Sequence, residues 1–206
     1  MNDRKRHWQQ IYRGKSPREV SWFQKKPERS LALIRRSGVD LSAPIIDVGG
    51  GASTLAEHLL REGYTRISVL DISRQALECA RERLGKKAAA IEWIEADVTE
   101  FRPLHDYALW HDRAVFHFLT EEADRVRYVE VLKQTLSEGG YLVVAAFAIG
   151  GPETCSGLAI VQYDAQKLMK QLGDAFELLD HQEELHRTPK GGEQKFCYFF
   201  FKRTHT

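Results

Sequence analysis

A run of three glycines between an apolar segment and a helix-forming segment is the feature that most constrains the fold. Ile45–Val48 leads into Gly49-Gly50-Gly51, and a helical pattern begins near Ser53. Glycine lets the backbone turn tightly and lets a ligand come close to it. About 20 residues after this loop, a second apolar run, 67–70, ends in Asp71, where a carboxylate is placed to accept hydrogen bonds from ribose hydroxyls. The pattern predicts a nucleotide-binding loop.

Short apolar runs alternate with amphipathic stretches, which is typical of a parallel sheet with crossover helices. We expect strands near 45–48, 67–70, 90–94, 107–110 and 141–147. We expect helices near 54–61, 74–84, 121–136 and 164–172, with N-caps at Ser73, Thr120 and Asp164. Two extended segments near the C-terminus, 176–183 and 194–202, are joined by a turn sequence at 188–192.

The residues around the glycines discriminate among nucleotide ligands. The dinucleotide pattern G-x-G-x-x-G, started at Gly49, places Thr54 where the third glycine belongs. Asp47 lies two residues before the glycines, and its carboxylate would repel a pyrophosphate. The same carboxylate suits a ligand that bears a cation, such as the amino group of S-adenosylmethionine (SAM). An NAD-dependent enzyme is therefore disfavoured.

The stretch Asp47-Val48-Gly49-Gly50-Gly51 resembles motif I of the class I SAM-dependent methyltransferases, [D/E]-x-G-x-G-x-G, with Ser53 at the last glycine. Segments 94–98 and 110–113 resemble later motifs of that family, and 136–142 resembles the turn before its fifth strand. The resemblance implies an α/β, Rossmann-like fold with a seven-stranded sheet, mostly parallel with a C-terminal antiparallel hairpin, and helices on both faces. It also implies SAM as the cofactor and S-adenosylhomocysteine as its product.

The resemblance implies a set of cofactor-binding residues. Asp71 would bind the ribose hydroxyls, with Ile72 beside the adenine. Asp97 would accept a hydrogen bond from the exocyclic amine of adenine, with the Val98 backbone nearby. The other expected cofactor-binding residues are Asp47, Gly49, Gly50, Gly51, Ser53 and Trp22.

The segment after the fourth expected strand is where the family lines its methyl-transfer site, and it supplies the catalytic candidates His111, Asp112 and Arg113. Asp112 is expected to act as a base or to orient a substrate, and His111 is alternatively a buried core histidine. Arg113 either clamps an anionic acceptor or pairs with Asp112 or Glu121. Further candidates for the acceptor wall are His117, Phe147, Cys155, Tyr12 and Trp22.

Residues 1–40 are expected to form a basic helical lid or arm. Residues 1–36 carry 11 Lys and Arg against three Asp and Glu, whereas the whole chain has a net charge of +1. Such an arm either pairs its charges with an acidic body or binds nucleic acid, an anionic substrate or an acidic protein surface, and we favour the first. Trp8, Tyr12 and Trp22 resemble a branch that includes protein lysine methyltransferases, although 111–114 lacks that branch's acid-lysine-glycine run.

Length and composition bound the remaining possibilities. At 206 residues the chain is expected to be a single methyltransferase domain, with the arm in 1–40, a SAM-binding core in 41–147 and an acceptor-side loop and hairpin in 148–206. No apolar run reaches the roughly 20 residues of a membrane span, and the N-terminus has no apolar h-region. Three scattered cysteines favour reduced thiols and give no metal-like spacing. We expect a cytoplasmic protein with no metal site and no membrane partner.

The sequence therefore predicts SAM-dependent methyl transfer to a small-molecule nucleophile. The absence of an added recognition domain favours a small acceptor, and the glycine-rich loop 150–158 with Cys155 favours a soft one, such as a thiol, a sulfide or a metalloid anion. The alternative is a protein lysine N-methyltransferase. An RNA methyltransferase or a non-catalytic SAM-binding module is less favoured, and nucleic acid is not an expected partner.

Overall fold

A seven-stranded sheet with helices on both sides organises the described part of the protein. This computed structural model describes residues 3–14, 16 and 18–204, so positions 1–2, 15, 17 and 205–206 of the expected arm and terminal segment lie outside the described residues. The described helices are α1 (Asp3–Gly14), α2 (Glu28–Ser37), α3 (Leu55–Arg61), α4 (Arg74–Leu84), α5 (Glu122–Thr135) and α6 (Ala165–Leu172). The described strands are β1 (Ile45–Val48), β2 (Ile67–Asp71), β3 (Ile91–Glu95), β4 (Tyr107–Arg113), β5 (Leu136–Phe147), β6 (Thr154–Cys155), β7 (Leu158–Ala159), β8 (Phe176–Arg187) and β9 (Glu193–Arg203).

The strand order of the large sheet is β3-β2-β1-β4-β5-β9-β8. Strands β1 to β5 pair in parallel, whereas β9 pairs antiparallel with both β5 and β8. The expected α/β, Rossmann-like fold with a C-terminal antiparallel hairpin is confirmed. The order reverses direction at β1 and β4, and in open α/β sheets ligands bind beyond the carboxyl ends of the strands at such a point.

Alternating side chains of the central strands supply two cores, one on each face of the sheet. Ile46 of β1 and Trp110 of β4 pack with the core on the α5 and α6 side. Their neighbours Ile45 and Leu109 pack with the core on the α2, α3 and α4 side. Continuous apolar runs are needed because both faces of these strands are buried. In the described part of the chain, no helix has both the length and the apolar character required to cross a bilayer.

Two details of the chain differ from the expectation. The N-cap position of α5 is Glu121 rather than Thr120, and it makes no side-chain capping bond. The expected turn at 136–140 is part of β5, because Leu136 already pairs with Tyr107. The register then shifts at a bulge in which Gly139 has a φ of +74°, a value that favours glycine.

The other two N-cap predictions are confirmed. The Ser73 side chain accepts a hydrogen bond from the Ala76 amide at the start of α4, and Asp164 accepts one from the Lys167 amide at the start of α6. Each bond satisfies an amide that the helix itself leaves without a partner.

We predict that Asp164→Ala lowers the free energy of unfolding by about 1 kcal/mol, because it removes the cap of α6. Thr120→Ala, the matched control, should change it by less than about 0.5 kcal/mol, because the Thr120 side chain caps no helix. Urea unfolding of both variants measures the difference. Equal losses would contradict the assignment of the caps.

Candidate active site

The glycine loop after β1 is packed so closely that side chains are excluded. Gly49 has a φ of +68°, and a Cβ added there would lie 2.1 Å from Val115 Cγ2. A Cβ on Gly50 would lie 2.3 Å from Asp47 Oδ2. The first two glycines are therefore required by the close approach of neighbouring side chains as well as by the turn.

Asp71 links the end of β2 to this loop. Its Oδ2 accepts a hydrogen bond from the Gly51 amide at 3.1 Å, and its Oδ1 accepts one from the Ser73 amide at 2.7 Å. Burial raises the pKa of this carboxyl to about 6, although the two amide bonds act to lower it. The carboxylate fixes both loops and also lines a cavity with the adjacent Ile72.

Asp97 follows β3 and lies at the same edge of the sheet. Its Oδ1 accepts hydrogen bonds from the amide and hydroxyl of Thr99, at 3.0 and 2.8 Å. Its Oδ2 lies 3.4 Å from a guanidinium nitrogen of Arg4 in α1. Asp97 and the adjacent Val98 both line the cavity.

A cavity of about 770 Å³ at the carboxyl edge of the sheet, open to solvent in part, collects many of the expected site residues. We call it the main cavity. Those of its lining residues that the sequence predicted for the site are Gly49, Asp71, Ile72, Asp97, Val98, Arg113 and Trp22.

A smaller neighbouring cavity lies along the glycine loop, and it shares Trp22, Gly49 and Arg113 with the main one. Its other lining residues from the expected set are Asp47, Gly50, Ser53 and His111. Gly51 and Asp112 line neither of the two cavities.

One face of helix α1 covers the main cavity. Arg4, Trp8 and Tyr12 are spaced four residues apart, which places them on one side of a helix, and all three line the cavity. Trp8 makes edge-to-face contacts with Trp22 and Phe118, at centroid distances of 5.8 and 4.9 Å. Arg4 is not among the residues predicted for the site. Its four-residue spacing from Trp8 is the sequence signal that could have identified it.

The basic residues of α1 pair with acids of the body. Arg4 lies within 3.4 Å of both Asp97 and Asp124, and Lys5 lies 2.5 Å from Glu95. This arrangement matches the favoured interpretation of the basic arm. These pairs are partly exposed, so each contributes little to stability, but they fix where α1 lies over the cavity.

His111 is buried between two partners rather than exposed in the main cavity. Its Nδ1 lies 2.7 Å from Asp47 Oδ1, and its Nε2 lies 2.9 Å from the Ser30 hydroxyl of α2. The structure does not bring His111 to the main cavity, and this geometry favours the alternative of a hydrogen-bonded core histidine. The second oxygen of Asp47, Oδ2, is buried without a partner.

Asp112 is fully buried and holds the turn that follows β4. Its carboxylate accepts hydrogen bonds from the amides of Val115 and Phe116 and from the Tyr128 hydroxyl, the last at 2.7 Å. Within this turn Ala114 has a φ of +69°, which is uncommon for a residue with a Cβ. This placement favours a role in holding the backbone over the expected role as a base.

Arg113 is the one catalytic candidate that reaches the main cavity. Its Nε donates to the Tyr198 hydroxyl at 2.8 Å, and its Nη1 donates to the Trp22 carbonyl at 2.9 Å. Its guanidinium lies over the Phe196 ring, 4.4 Å from the centroid. Neither Asp112 nor Glu121 pairs with it, so that alternative is not what the structure contains.

The remaining acceptor-wall candidates divide between the cavity and the core. Cys155 and Tyr12 line the main cavity, and burial raises the pKa of the Cys155 thiol to about 11. His117 and Phe147 are core residues outside the lining, and burial and the charge of Arg113 lower the pKa of His117 to about 3. Four further lining residues were not predicted from the sequence: Ala114, Val115, Phe118 and Leu119.

Comparison with known proteins supports the family. The family model of the methyltransferase domain matches residues 45–140. The ribosomal protein L11 methyltransferase of Pelobacter propionicus is 35% identical over 105 residues, which are 51% of this chain and 32% of that protein. Human EEF1A lysine methyltransferase 2 is 22% identical over 89% of this chain and 77% of its own length. The chain spans 32–37% of the length of three of its curated relatives.

Solved structures show the same fold. A protein studied for the conversion of a disulfide bond into a thioacetal group during echinomycin biosynthesis matches with a TM-score of 0.77 and 16% identity, over 96% of this chain and 90% of that one. The N-methyltransferase NodS of Bradyrhizobium japonicum, in complex with S-adenosylhomocysteine, matches with a TM-score of 0.69 and 18% identity, over 96% and 98%.

Residues 45–140 belong to the methyltransferase-domain family. The matched segment begins at β1 and ends within β5, so it contains the glycine loop and the loops that carry Asp71 and Asp97. It also contains the turn held by Asp112.

We predict that the Asp112 carboxyl makes the protein less stable as the pH rises. Burial raises its pKa to about 6 in the folded state, from an ordinary value of 3.8. The folded state therefore holds this proton more tightly than the unfolded chain does, and that stabilisation is lost as the pH rises through about 6.

Asp112→Asn does not titrate. Its free energy of unfolding, measured with urea, should fall less between about pH 4 and about pH 7 than that of the original protein. Asp71 titrates in the same direction in both proteins, so the difference between their two profiles isolates Asp112. Identical profiles would contradict the assignment.

Proposed function

We propose that this protein transfers a methyl group from SAM to a small-molecule nucleophile. The observation that carries the proposal is the main cavity, because acids from the ends of β2 and β3 share it with the glycine loop and with the aromatic face of α1. Membership of the family supports SAM as the methyl donor. When bound, SAM supplies an electrophilic methyl group on its sulfonium.

The residues present fit SAM at three points. The Asp47 Oδ2 atom is buried and unpartnered, and it would accept a hydrogen bond from the amino group. Gly49 and Gly50 line the smaller cavity with backbone alone, because a Cβ at either position would collide with Val115 or Asp47. Asp71 would accept hydrogen bonds from the ribose hydroxyls, with Asp97 near the adenine.

The other predicted cofactor-binding residues would shape the cavity around SAM or position the residues that bind it. Ile72 and Val98 provide apolar surface for the adenine, and Trp22 closes the cavity from the arm. Gly51 donates its amide to Asp71 and so positions the ribose-binding carboxylate. Ser53 accepts a hydrogen bond from the Leu55 amide and fixes the start of α3 beside the smaller cavity.

A small acceptor is supported by the way in which α1 closes the cavity. The rings of Trp8, Trp22 and Phe118 meet over it. Positioning a nucleophile in line with the sulfur–methyl bond can supply much of the rate enhancement, and a cavity partly covered by these aromatic rings restricts the poses of the acceptor.

A soft acceptor, such as a thiol or a sulfide, is supported because the acids that line the main cavity, Asp71 and Asp97, are the ones proposed to bind SAM and the other ionisable groups of the described lining are not bases. Among the described lining residues, the Cys155 thiol has its pKa raised to about 11 and Tyr12 has its pKa raised by burial. Both groups stay protonated at neutral pH and cannot take a proton from an acceptor. A thiolate or hydrosulfide arrives without the proton and needs no base.

Protein lysine methylation is the second candidate, because the chain resembles human EEF1A lysine methyltransferase 2 over 89% of its length. The charge at the cavity opposes this candidate. Lysine binds as an ammonium ion, and Arg113 lines the cavity with a guanidinium of the same sign.

We predict turnover with small thiols or hydrosulfide, measured as S-adenosylhomocysteine release against a panel that also contains selenite, phenols, carboxylic acids and a protein fraction. Because no enzyme base is required, the rate should rise with pH along the ionisation of each thiol, and a thiol of lower pKa should move the curve to lower pH. A curve that stays in one place for all thiols would contradict the absence of a base. Turnover with the protein fraction alone would move the assignment to lysine methylation.

We predict that Asp71→Ala weakens SAM binding, because each charge-assisted hydrogen bond to the ribose contributes about 1.5–3 kcal/mol. Isothermal titration calorimetry measures the change, and thermal unfolding checks that the variant is folded. The control is Glu100→Ala, which removes an exposed carboxylate after β3 outside the cavity lining and should leave affinity nearly unchanged. Unchanged affinity in folded Asp71→Ala would refute the ribose assignment.

A further inference from the structure

The Arg113 guanidinium is held rigidly on three sides. Tyr198 of β9, the Trp22 carbonyl and the face of Phe196 fix its orientation. A guanidinium fork whose orientation is fixed in advance loses little freedom when it binds a ligand. The remaining guanidinium nitrogen, Nη2, takes no part in these three contacts.

That remaining nitrogen is buried and has no hydrogen-bond partner. Among the described residues, no carboxylate forms an ion pair with Arg113. The nearby Glu184 acts on the Tyr198 hydroxyl instead. Arg113 as a whole is half-buried, but its Nη2 atom is buried, and arginine stays charged in proteins, so the protein holds a cation that a ligand anion would neutralise.

The field of this cation extends over the neighbouring ionisable groups. The charge of Arg113 acts to lower the pKa of His117, of His186 and of Cys155. Burial favours the neutral form of each of these groups, so none of them supplies the missing negative charge. An anion from outside the chain is the partner that fits this position.

The guanidinium lies apart from the two acids proposed to bind the ribose and the adenine, whereas Asp47, proposed to bind the amino group, lies on β1 beside β4 and lines the smaller cavity with Arg113. Asp71 and Asp97 follow β2 and β3, on one side of β4 in the sheet. Arg113 ends β4 and reaches in the other direction, to Tyr198 and Phe196 of β9 beyond β5. Cys155, from the loop after β5, lines the cavity with it.

Building on the proposed function, we propose that Arg113 binds a small anionic methyl acceptor through its unpartnered Nη2. The anion is either the nucleophile itself, as in hydrosulfide or a thiolate, or a carboxylate next to it. Both share the chemistry that a guanidinium recognises, a compact negative charge that accepts N–H hydrogen bonds. Arg113 thereby determines the charge of the acceptor.

The chemistry of this assignment balances without a proton. The lone pair of an anionic nucleophile forms the bond to the methyl carbon while the bond between that carbon and the sulfonium breaks. The electron pair of the broken bond stays on the departing sulfur, which becomes neutral. The negative charge of the nucleophile and the positive charge of the sulfonium cancel, so an enzyme base is not needed, and Arg113 remains charged throughout. An acceptor held through a neighbouring carboxylate must likewise react as its thiolate.

The test compares the original protein with two variants. Arg113→Gln removes the charge, and Arg113→Lys keeps the charge but replaces the planar guanidinium with a single ammonium nitrogen. Calorimetry first measures S-adenosylhomocysteine binding to each protein. The complexes are then titrated with thiocyanate, as a sulfur-bearing anion, and with acetate, as a carboxylate, at constant ionic strength. Binding of either anion is followed by tryptophan fluorescence, because Trp8 and Trp22 line the cavity.

We expect one of the two anions to bind the original complex, and Arg113→Gln to weaken that binding about tenfold or more while the affinity for S-adenosylhomocysteine changes by less than about threefold. Arg113→Lys should lie between the two, and it keeps the test usable if Arg113→Gln fails to fold. The anion that binds identifies the acceptor chemistry as sulfur anion or carboxylate.

Two results would overturn the inference. If Arg113→Gln and Arg113→Lys lose S-adenosylhomocysteine affinity as strongly as anion affinity, the guanidinium binds the carboxylate of the cofactor. If neither anion binds the original complex although S-adenosylhomocysteine does, the acceptor is not an anion and the proposed methyl transfer still stands. Failure of the original protein to bind S-adenosylhomocysteine would instead contradict the proposed function.

Discussion

Buried aspartates at the carboxyl ends of the parallel strands hold together the edge of the sheet on which the rest of this structure depends. Asp71 accepts amides from two loops, and Asp112 accepts two amides and a tyrosine hydroxyl. Asp47 contacts His111 across the strand pair β1 and β4. A buried carboxylate is stabilised when such donors replace its water, so Asp71 and Asp112 hold the neighbouring backbone in one arrangement.

The glycine loop follows from the same constraint. Gly50 lies against Asp47, Gly51 lies against Asp71, and Gly49 lies against Val115 in the turn that Asp112 holds. Side chains at these positions would push the carboxylates away from their donors. The glycines therefore allow the carboxylates and the loop to occupy the same small volume, and the cavities form beside them.

Charge is distributed unevenly across the main cavity. Acids from β2 and β3 lie on one side, and the guanidinium of Arg113 lies on the other. Helix α1 spans the opening, with Arg4 paired to Asp97 and the aromatic residues Trp8 and Tyr12 over the centre. In the proposed function this asymmetry suits a cationic methyl donor on the acidic side and an electron-rich acceptor on the basic side.

The sequence by itself determined the fold class and much of the candidate cavity. Apolar runs followed by Asp71 and Asp97 locate strand ends, and the carboxyl ends of parallel strands share one edge, so local pattern was sufficient. Tertiary structure decided the roles after β4. Asp112 is hydrogen-bonded to Tyr128, and His111 is hydrogen-bonded to Ser30. Arg113 is hydrogen-bonded to Tyr198, 85 residues away. Local spacing in the sequence does not reveal any of these partners. Burial and hydrogen bonding between distant segments, which exist only once the chain has folded, separated the arginine that faces the cavity from its two buried neighbours.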